Sequence, residues 1–250
     1  MRISRLPAAS FCLLAATPLL SLSAVAETNP IPAQTSTVGS LSPLGGSPQR
    51  DAAEAGLARL IERSHAPGSA FRANRIFNLA DGQHLDQAKL GDGFQTYLVD
   101  PKRLLSGKRL GDCLYGSGEW RFVVLRYGKS VGLITVARLG SRWTMVEAGA
   151  SELADEIVSI AARYAQQMPG ARLRFVRSRQ AVADFIQVLA PGSTDAANAP
   201  VYVPLASART LLAPGAASSN ALGPALSDAQ LDDTLRRGVQ RGMRDPHVGH

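Results

Sequence analysis

A stretch in the middle of this chain combines three short apolar runs with two glycine-containing turns, and it constrains the fold more than any other part. The runs, residues 119–127, 131–138 and 142–147, are rich in aromatic and β-branched side chains, which suit a pleated and half-buried surface. Gly128 and Gly140 lie between the runs, and glycine tolerates the positive φ angles of tight turns. The stretch therefore predicts an antiparallel meander of three strands.

A helical pattern follows the meander. Ser151 is predicted to be its N-cap, because a serine hydroxyl accepts hydrogen bonds from the free amides of the first turn. Large apolar residues then recur at helical spacing and form one stripe: Leu153, Ile157, Ile160, Tyr164 and Met168. Burial of each such side chain contributes about 1.5–3 kcal/mol. The stripe therefore predicts a long amphipathic helix packed on one face of the sheet.

The other elements of the domain are predicted from apolar alternation and turn residues. A first helix covers residues 47–64, and loops cover residues 81–93 and 106–118. Further strands are predicted at residues 75–79, 94–99, 172–177, 185–189 and 201–205. A helix over residues 179–188 competes with the fourth of these strands. Together the elements predict one α+β domain over residues 47–212, with a mainly antiparallel sheet of five or six strands.

The beginning of the chain, residues 1–26, has the pattern of a secretory signal peptide. A charged start is followed by the largely apolar residues 6–25, which end in a small-x-small cleavage pattern at Ala24 and Ala26. An uncleaved membrane anchor is the alternative, since the apolar run is about long enough to span a bilayer. Two prolines in the run and the cleavage pattern favour the signal peptide. We therefore expect an exported protein that begins at Glu27 and functions in the periplasm or beyond the envelope.

Composition divides the rest of the chain outside the domain. Residues 27–46 are rich in Pro, Ser, Thr and Gly and are predicted to be a disordered linker. Residues 213–226 are rich in Ala, Ser, Gly and Pro and are predicted to be a second linker. Residues 227–250 are predicted to form a basic amphipathic helix and a tail.

The predicted C-terminal helix opens with Ser227 and, three residues later, Gln230, which is a capping-box signature. Its proposed partner-binding residues are three apolar side chains four apart and one flanking arginine: Leu231, Leu235, Val239 and Arg236. These residues favour contact with a protein partner or, peripherally, with an anionic membrane surface. The simpler interpretation is a terminal helix that is docked on the domain or left mobile.

Charge and cysteine content narrow the class of partner. The chain has a net charge of +7, and removal of the two arginines of the signal peptide leaves +5. This charge favours an anionic envelope component as partner, whereas export argues against nucleic acid. Because Cys12 leaves with the signal peptide, Cys113 is the one remaining thiol and no intramolecular disulfide can form. In an oxidising compartment, a disulfide-linked dimer through Cys113 is an alternative to a free thiol.

The most complete catalytic set in the sequence is Cys113 with His84 as a base and Asp81 or Asp86 as the group that orients it. A cysteine nucleophile needs both kinds of partner. However, Cys113 precedes a predicted strand, and the histidines downstream of it lie in the tail. A small packed cysteine is therefore the favoured interpretation, with a thiol hydrolase as the alternative.

No motif in the sequence indicates a metal or a cofactor. Asp81, His84 and Asp86 approach a metal-binding cluster, but their spacing matches no common ligand pattern and a solvated loop is favoured. Gly91-Asp92-Gly93 lacks the further glycines and the lysine of a phosphate-binding loop. Gly128-Lys129-Ser130-Val131-Gly132 has the Gly-x-Ser-x-Gly spacing, but it lies at a predicted hairpin turn and not at the strand-to-helix turn of a nucleophile elbow. We therefore predict no cofactor and no metal.

Four arginines are the predicted ligand-binding residues. Arg172 and Arg174 project from the non-core side of one predicted strand, and Arg121 and Arg126 lie on the meander. If these strands share a sheet, its outer face is cationic, and arginine binds carboxylate and phosphate through two parallel hydrogen bonds. An ordinary solvated sheet face is the alternative.

The sequence as a whole favours a non-catalytic exported protein that binds or assists an envelope component or a protein partner. The basis is the signal peptide, the lack of a complete catalytic motif, and the linkers and amphipathic helix at the ends. One alternative is an exported hydrolase that uses Cys113 or an unrecognised pair of acids. Another is a structural or assembly protein that acts through its C-terminal helix.

Overall fold

The computed structural model describes residues 46–66, 73–80, 83–193, 199–213 and 222–245. The predicted signal peptide, almost all of the first linker and more than half of the second lie outside these residues. The helices are α1 (Pro48–His65), α2 (Ala73–Ile76), α3 (Pro101–Leu105), α4 (Ser151–Gln167), α5 (Ala206–Leu212) and α6 (Asp228–Arg244). The strands are β1 (Ala88–Val99), β2 (Leu114–Arg126), β3 (Lys129–Leu139), β4 (Arg142–Gly149), β5 (Arg172–Ser178), β6 (Ala183–Leu189), β7 (Val201–Pro204) and β8 (Leu226–Ser227).

These elements confirm the α+β class but correct the predicted sheet. It has eight strands in the order β4-β3-β2-β1-β5-β6-β7-β8. All neighbouring pairs are antiparallel except β1 and β5, which are parallel. The parallel pair arises because α4 carries the chain from β4 back across the sheet, so that β5 enters beside β1 in the same direction. The sheet is therefore mixed, and it is larger than the five or six strands predicted.

Most local predictions hold, and the errors have identifiable causes. The meander is confirmed as β2–β3–β4, and residues 183–189 are a strand rather than a helix. The strand predicted at residues 75–79 is wrong, because residues 73–76 form a helical turn. The loops predicted at residues 81–93 and 106–118 are too long, because β1 begins at Ala88 and β2 at Leu114. Glycines in these segments had suggested loops. In β1, a Cβ on Gly93 would lie 2.4 Å from the Phe122 ring, so glycine is required there by packing and does not break the strand.

The helix α4 covers one face of the sheet, as the apolar stripe predicted. Its buried residues include Ile157 and Ile160, which pack with Phe94, Val123 and Phe175 from three different strands. The predicted N-cap is displaced by one residue. Ala150, with φ of 55°, occupies the cap without a side-chain hydrogen bond, and Ser151 is the first helical residue. The chain turns into the helix at Ala150, which has a left-handed backbone conformation directly after β4. Ser151 is therefore already inside the helix and is not its cap.

Helices on the opposite face include α1 and α6. Near β4, α1 packs through Leu57 and Leu60 in a cluster with Phe122. At the other end, α6 packs through its apolar residues in a cluster with Val176 and Phe185. Because α6 belongs to this core and β8 pairs with β7, the described fold extends beyond the domain end predicted at residue 212.

Candidate functional site

The structure does not bring Cys113 and His84 together. Cys113 is 1% exposed in the core cluster beneath α6, and its Sγ donates a hydrogen bond to the carbonyl oxygen of Arg109 at 3.2 Å. Burial raises the pKa of the Cys113 thiol, which disfavours the nucleophilic thiolate. His84 instead stacks on His65 at the end of α1, with ring centres 5.7 Å apart. The environment of Cys113 is that of a packed core residue.

The acids proposed to accompany His84 do not complete a site. Asp86 contacts the Nε2 atom of His65, and Asp81 lies outside the described residues. Within the described part of the chain, no group of three or more His, Cys, Asp and Glu side chains is arranged to hold a metal ion. The stacked histidines and Asp86 therefore form an exposed surface contact between α1 and the segment before β1.

The four arginines predicted to share a surface lie on two faces of the sheet. Arg121 faces α4, with its guanidinium carbon 5.2 Å from the centre of the Phe175 ring. Arg174 lies over Tyr97 at 5.0 Å, and it points to the opposite face because it neighbours Phe175 in β5. A single cationic face is therefore not formed.

The other two predicted arginines make local contacts. Arg172 donates to the carbonyl oxygen of Ser193 at 2.5 Å. Arg126 lies over the ring of Tyr127 at 4.6 Å, at the hairpin between β2 and β3. These contacts account for the two side chains without a ligand.

Arg121 is a buried cation with little compensation. It is 4% exposed, its Nη2 atom is 3.7 Å from the Glu147 carboxylate, and its Nε has no hydrogen-bond partner among the described residues. Burial and, to a lesser extent, the like charge of Arg177 lower the pKa of Arg121. Since almost none of Arg121 is accessible, it is not positioned to bind a ligand from solvent.

The apolar residues proposed for partner binding on α6 are part of the protein's own core. Leu231, Leu235 and Val239 are 0% exposed, and Arg236 donates hydrogen bonds to the carbonyl oxygen of Lys108 and to Asp232. The helix α6 is thus docked on the domain, as in the simpler of the two interpretations of its sequence. None of the helices in the described ranges is both long and apolar enough to cross a membrane.

The described residues form a groove between α4 and the sheet, which we call the α4 groove. Its volume is about 530 Å³, within the range of roughly 300–1,000 Å³ of small-molecule sites. One wall is the side of α4 that carries small and apolar residues: Val158, Ala161, Ala162, Ala165 and Met168. The other wall comes from three strands and includes Val123, Leu125, Leu173 and Asp92.

The walls of the groove are apolar for a structural reason. The large stripe residues of α4 point into the core, and the alanines beside them leave space between the helix and β2. Ala162 and Ala165 are exposed, whereas Tyr164 between them is buried. Among the described residues, the ionisable groups in the lining are the Asp92 carboxyl and the Tyr164 phenol. The groove can therefore hold an apolar ligand, and its lining offers no nucleophile paired with a base.

Asp92 is presented to the groove by a β-bulge. The register of β1 on β2 shifts between Leu90 and Gly93, and bulges of this kind redirect a side chain. Burial raises the pKa of Asp92, and the nearby charge of Arg50 opposes that shift. The sequence did not indicate Asp92 as a candidate site residue. The pattern that could have indicated it is Gly91-Asp92-Gly93, a single acid between two glycines. Such a pattern is as typical of a β-bulge as of a phosphate-binding loop.

Fold and groove together define an α+β protein on one mixed eight-stranded sheet, with a cavity of ligand size beside its long helix. No protein-family model, curated protein or solved structure matches the chain. The geometry of the chain itself is therefore the basis for assigning a function.

Proposed function

We propose that this chain is a non-catalytic exported binding protein and that the α4 groove is its ligand site. The observation that carries the proposal is the size and lining of the groove, which is about 530 Å³ in volume and is lined mainly by apolar side chains. Binding sites for small molecules combine such a lining with a few polar groups that orient the ligand. Export is supported by the signal-peptide pattern of residues 1–26.

The same lining favours an apolar ligand over the anionic component that the net charge suggested. The described residues that line the groove include one carboxylate and no Lys, Arg or His side chain, so none of them carries a positive charge to pair with phosphate. An apolar molecule of the envelope, or an apolar molecule that passes through it, matches the walls better. Burial of its surface supplies the binding free energy, at about 25 cal/mol per Å².

Filling the groove with a side chain tests this function. In Ala165→Phe, the phenyl ring should occupy the groove and weaken binding of a neutral apolar fluorophore, such as N-phenyl-1-naphthylamine, at least about tenfold, or about 1.4 kcal/mol. Gln166→Phe is the matched control, because Gln166 is exposed on the same helix but does not line the groove. Equal binding by all three proteins, or equal losses in both variants, would contradict the proposal.

Export is tested separately from binding. Expression of the full chain in a Gram-negative host should yield protein in the periplasmic fraction, and mass spectrometry should show that it begins at Glu27. A protein that stays in the cytoplasm with residues 1–26 intact would contradict export without affecting the groove.

A further inference from the structure

We propose that the ligand of the α4 groove is a single apolar chain with an ammonium group at one end, and that the Asp92 carboxylate binds that group. This inference rests on the proposed function, because it concerns the same groove. It adds the chemical class of the ligand and the residue that binds its polar end.

The position of the Asp92 backbone is fixed by close packing on both sides. A Cβ on Gly93 would lie 2.4 Å from the Phe122 ring, and one on Gly91 would lie 2.9 Å from the Leu125 side chain. The two glycines thus allow β1 to approach β2 more closely than other residues could. The bulge they accommodate sets Asp92 in the lining of the groove, beside its apolar side chains.

Arg50, the cation near Asp92, forms its hydrogen bonds with other groups. The Arg50 guanidinium donates to the carbonyl oxygens of Gly91 at 3.0 Å and Leu90 at 3.1 Å, and its Nε donates to Glu54 at 2.9 Å. Arg50 therefore holds the bulge in place and acts on the Asp92 carboxylate only at longer range. Among the described residues, none donates a hydrogen bond to this carboxylate or forms an ion pair with it.

Chemical complementarity then selects the ligand's polar end. A half-buried carboxylate beside an apolar surface has lost part of its hydration without gaining a donor, which is unfavourable for the charged form. A ligand ammonium group supplies both a positive charge and hydrogen-bond donors, whereas an anionic end adds like-charge repulsion. Hydrogen bonds to charged groups discriminate by roughly tenfold to a hundredfold.

The test compares probes with the same twelve-carbon chain and different ends, below the critical micelle concentrations of the two ionic probes and the solubility limit of dodecanol. Isothermal titration of the full chain at pH 7 with dodecylammonium, dodecanol and dodecanoate should give the tightest binding for dodecylammonium, at least about tenfold over dodecanol. In Asp92→Asn this preference should disappear. In Asp92→Glu, which retains the charge, it should persist in part.

The control variant and the outcomes separate the two proposals. Asp233→Asn removes an exposed acid from α6 and should leave the preference unchanged, which accounts for general electrostatics. If dodecylammonium and dodecanol bind equally to the wild-type protein, or if Asp92→Asn keeps the preference, the ammonium inference is overturned while the apolar groove stands. If no probe binds, or if binding is insensitive to Ala165→Phe, the proposed function itself fails.

Discussion

Gly242, in the last turn of α6, lies directly on the backbone of the turn between β5 and β6. A Cβ added at this position would lie 1.8 Å from the carbonyl oxygen of Gln180 and 2.6 Å from its carbonyl carbon. Because the obstacle is main chain, it cannot rotate away as the end of a side chain can. Gly242→Ala therefore forces either the turn or the end of the helix to move.

Two opposing contributions decide the sign of the effect. Alanine is favoured over glycine within a helix by up to about 1 kcal/mol. Relief of the clash, however, requires the last turn of α6 to lift off the sheet, which begins to uncover Val239, now 0% exposed. Full exposure of a valine costs about 1.5–3 kcal/mol. We expect Gly242→Ala to lower the free energy of unfolding by about 1–2 kcal/mol.

Urea unfolding followed by circular dichroism measures this change as a lower midpoint at an unchanged slope. Gly238→Ala, one helical turn earlier, is the matched control. Its Cβ would meet Leu211 at 3.0 Å and the Cβ of Ala181 at 3.1 Å. A small rotation of the Leu211 side chain relieves the first contact, and a shift of a few tenths of an ångström relieves the second. Its stability should therefore lie within about 0.5 kcal/mol of wild type. A Gly242→Ala protein as stable as wild type would refute the close packing of α6 on this turn.

Four further predictions concern buried groups. Leu235→Ala should cost about 2–5 kcal/mol in urea unfolding, because Leu235 is 0% exposed; an unchanged midpoint would mean that α6 does not dock. In a Cys12→Ser background, Cys113 should react much more slowly with a disulfide reagent in the folded protein than in urea, since its thiol is buried and its pKa is raised; equal rates would place the thiol at the surface. Arg121→Met should unfold at the same or a higher urea concentration, because it removes a poorly paired buried charge of similar volume; a clear loss would indicate a stronger partner. Because the folded-state pKa of Asp92 is raised, its protonation favours folding as the pH falls through that pKa. Asp92→Asn should thus be more stable than wild type at pH 7, by a margin that shrinks towards pH 4; a margin that grows on acidification would contradict this sign.

The parts of the fold that could be predicted are those specified by neighbouring residues. The meander and α4 follow from alternation, turn glycines and one apolar stripe, all of which are local signals. The parallel pairing of β1 with β5 joins residues almost eighty positions apart, such as Thr96 and Phe175. No local pattern specifies that pairing, which depends on where α4 returns the chain.

The predicted cationic face is not formed, and the sequence itself contains the reason. Residues 122–125 of β2 are all apolar, and a strand that is apolar on both sides is covered on both sides. Arg121 alternates in phase with Val123, which α4 covers, so its burial follows from the same pattern. The α4 groove could not be predicted in this way, because its two walls come from separate parts of the chain.

The strand order also shows how the molecule divides. Within the one sheet, β4-β3-β2-β1 and β5-β6-β7-β8 are two four-stranded antiparallel halves, each formed by consecutive strands, and the parallel pair of β1 and β5 joins them. On one face each half has its own helix, but α4 packs on residues of both halves. The groove beside α4 is likewise bounded by Val123 from one half and Leu173 from the other. A molecule bound there joins the two halves, so its binding free energy also resists their separation.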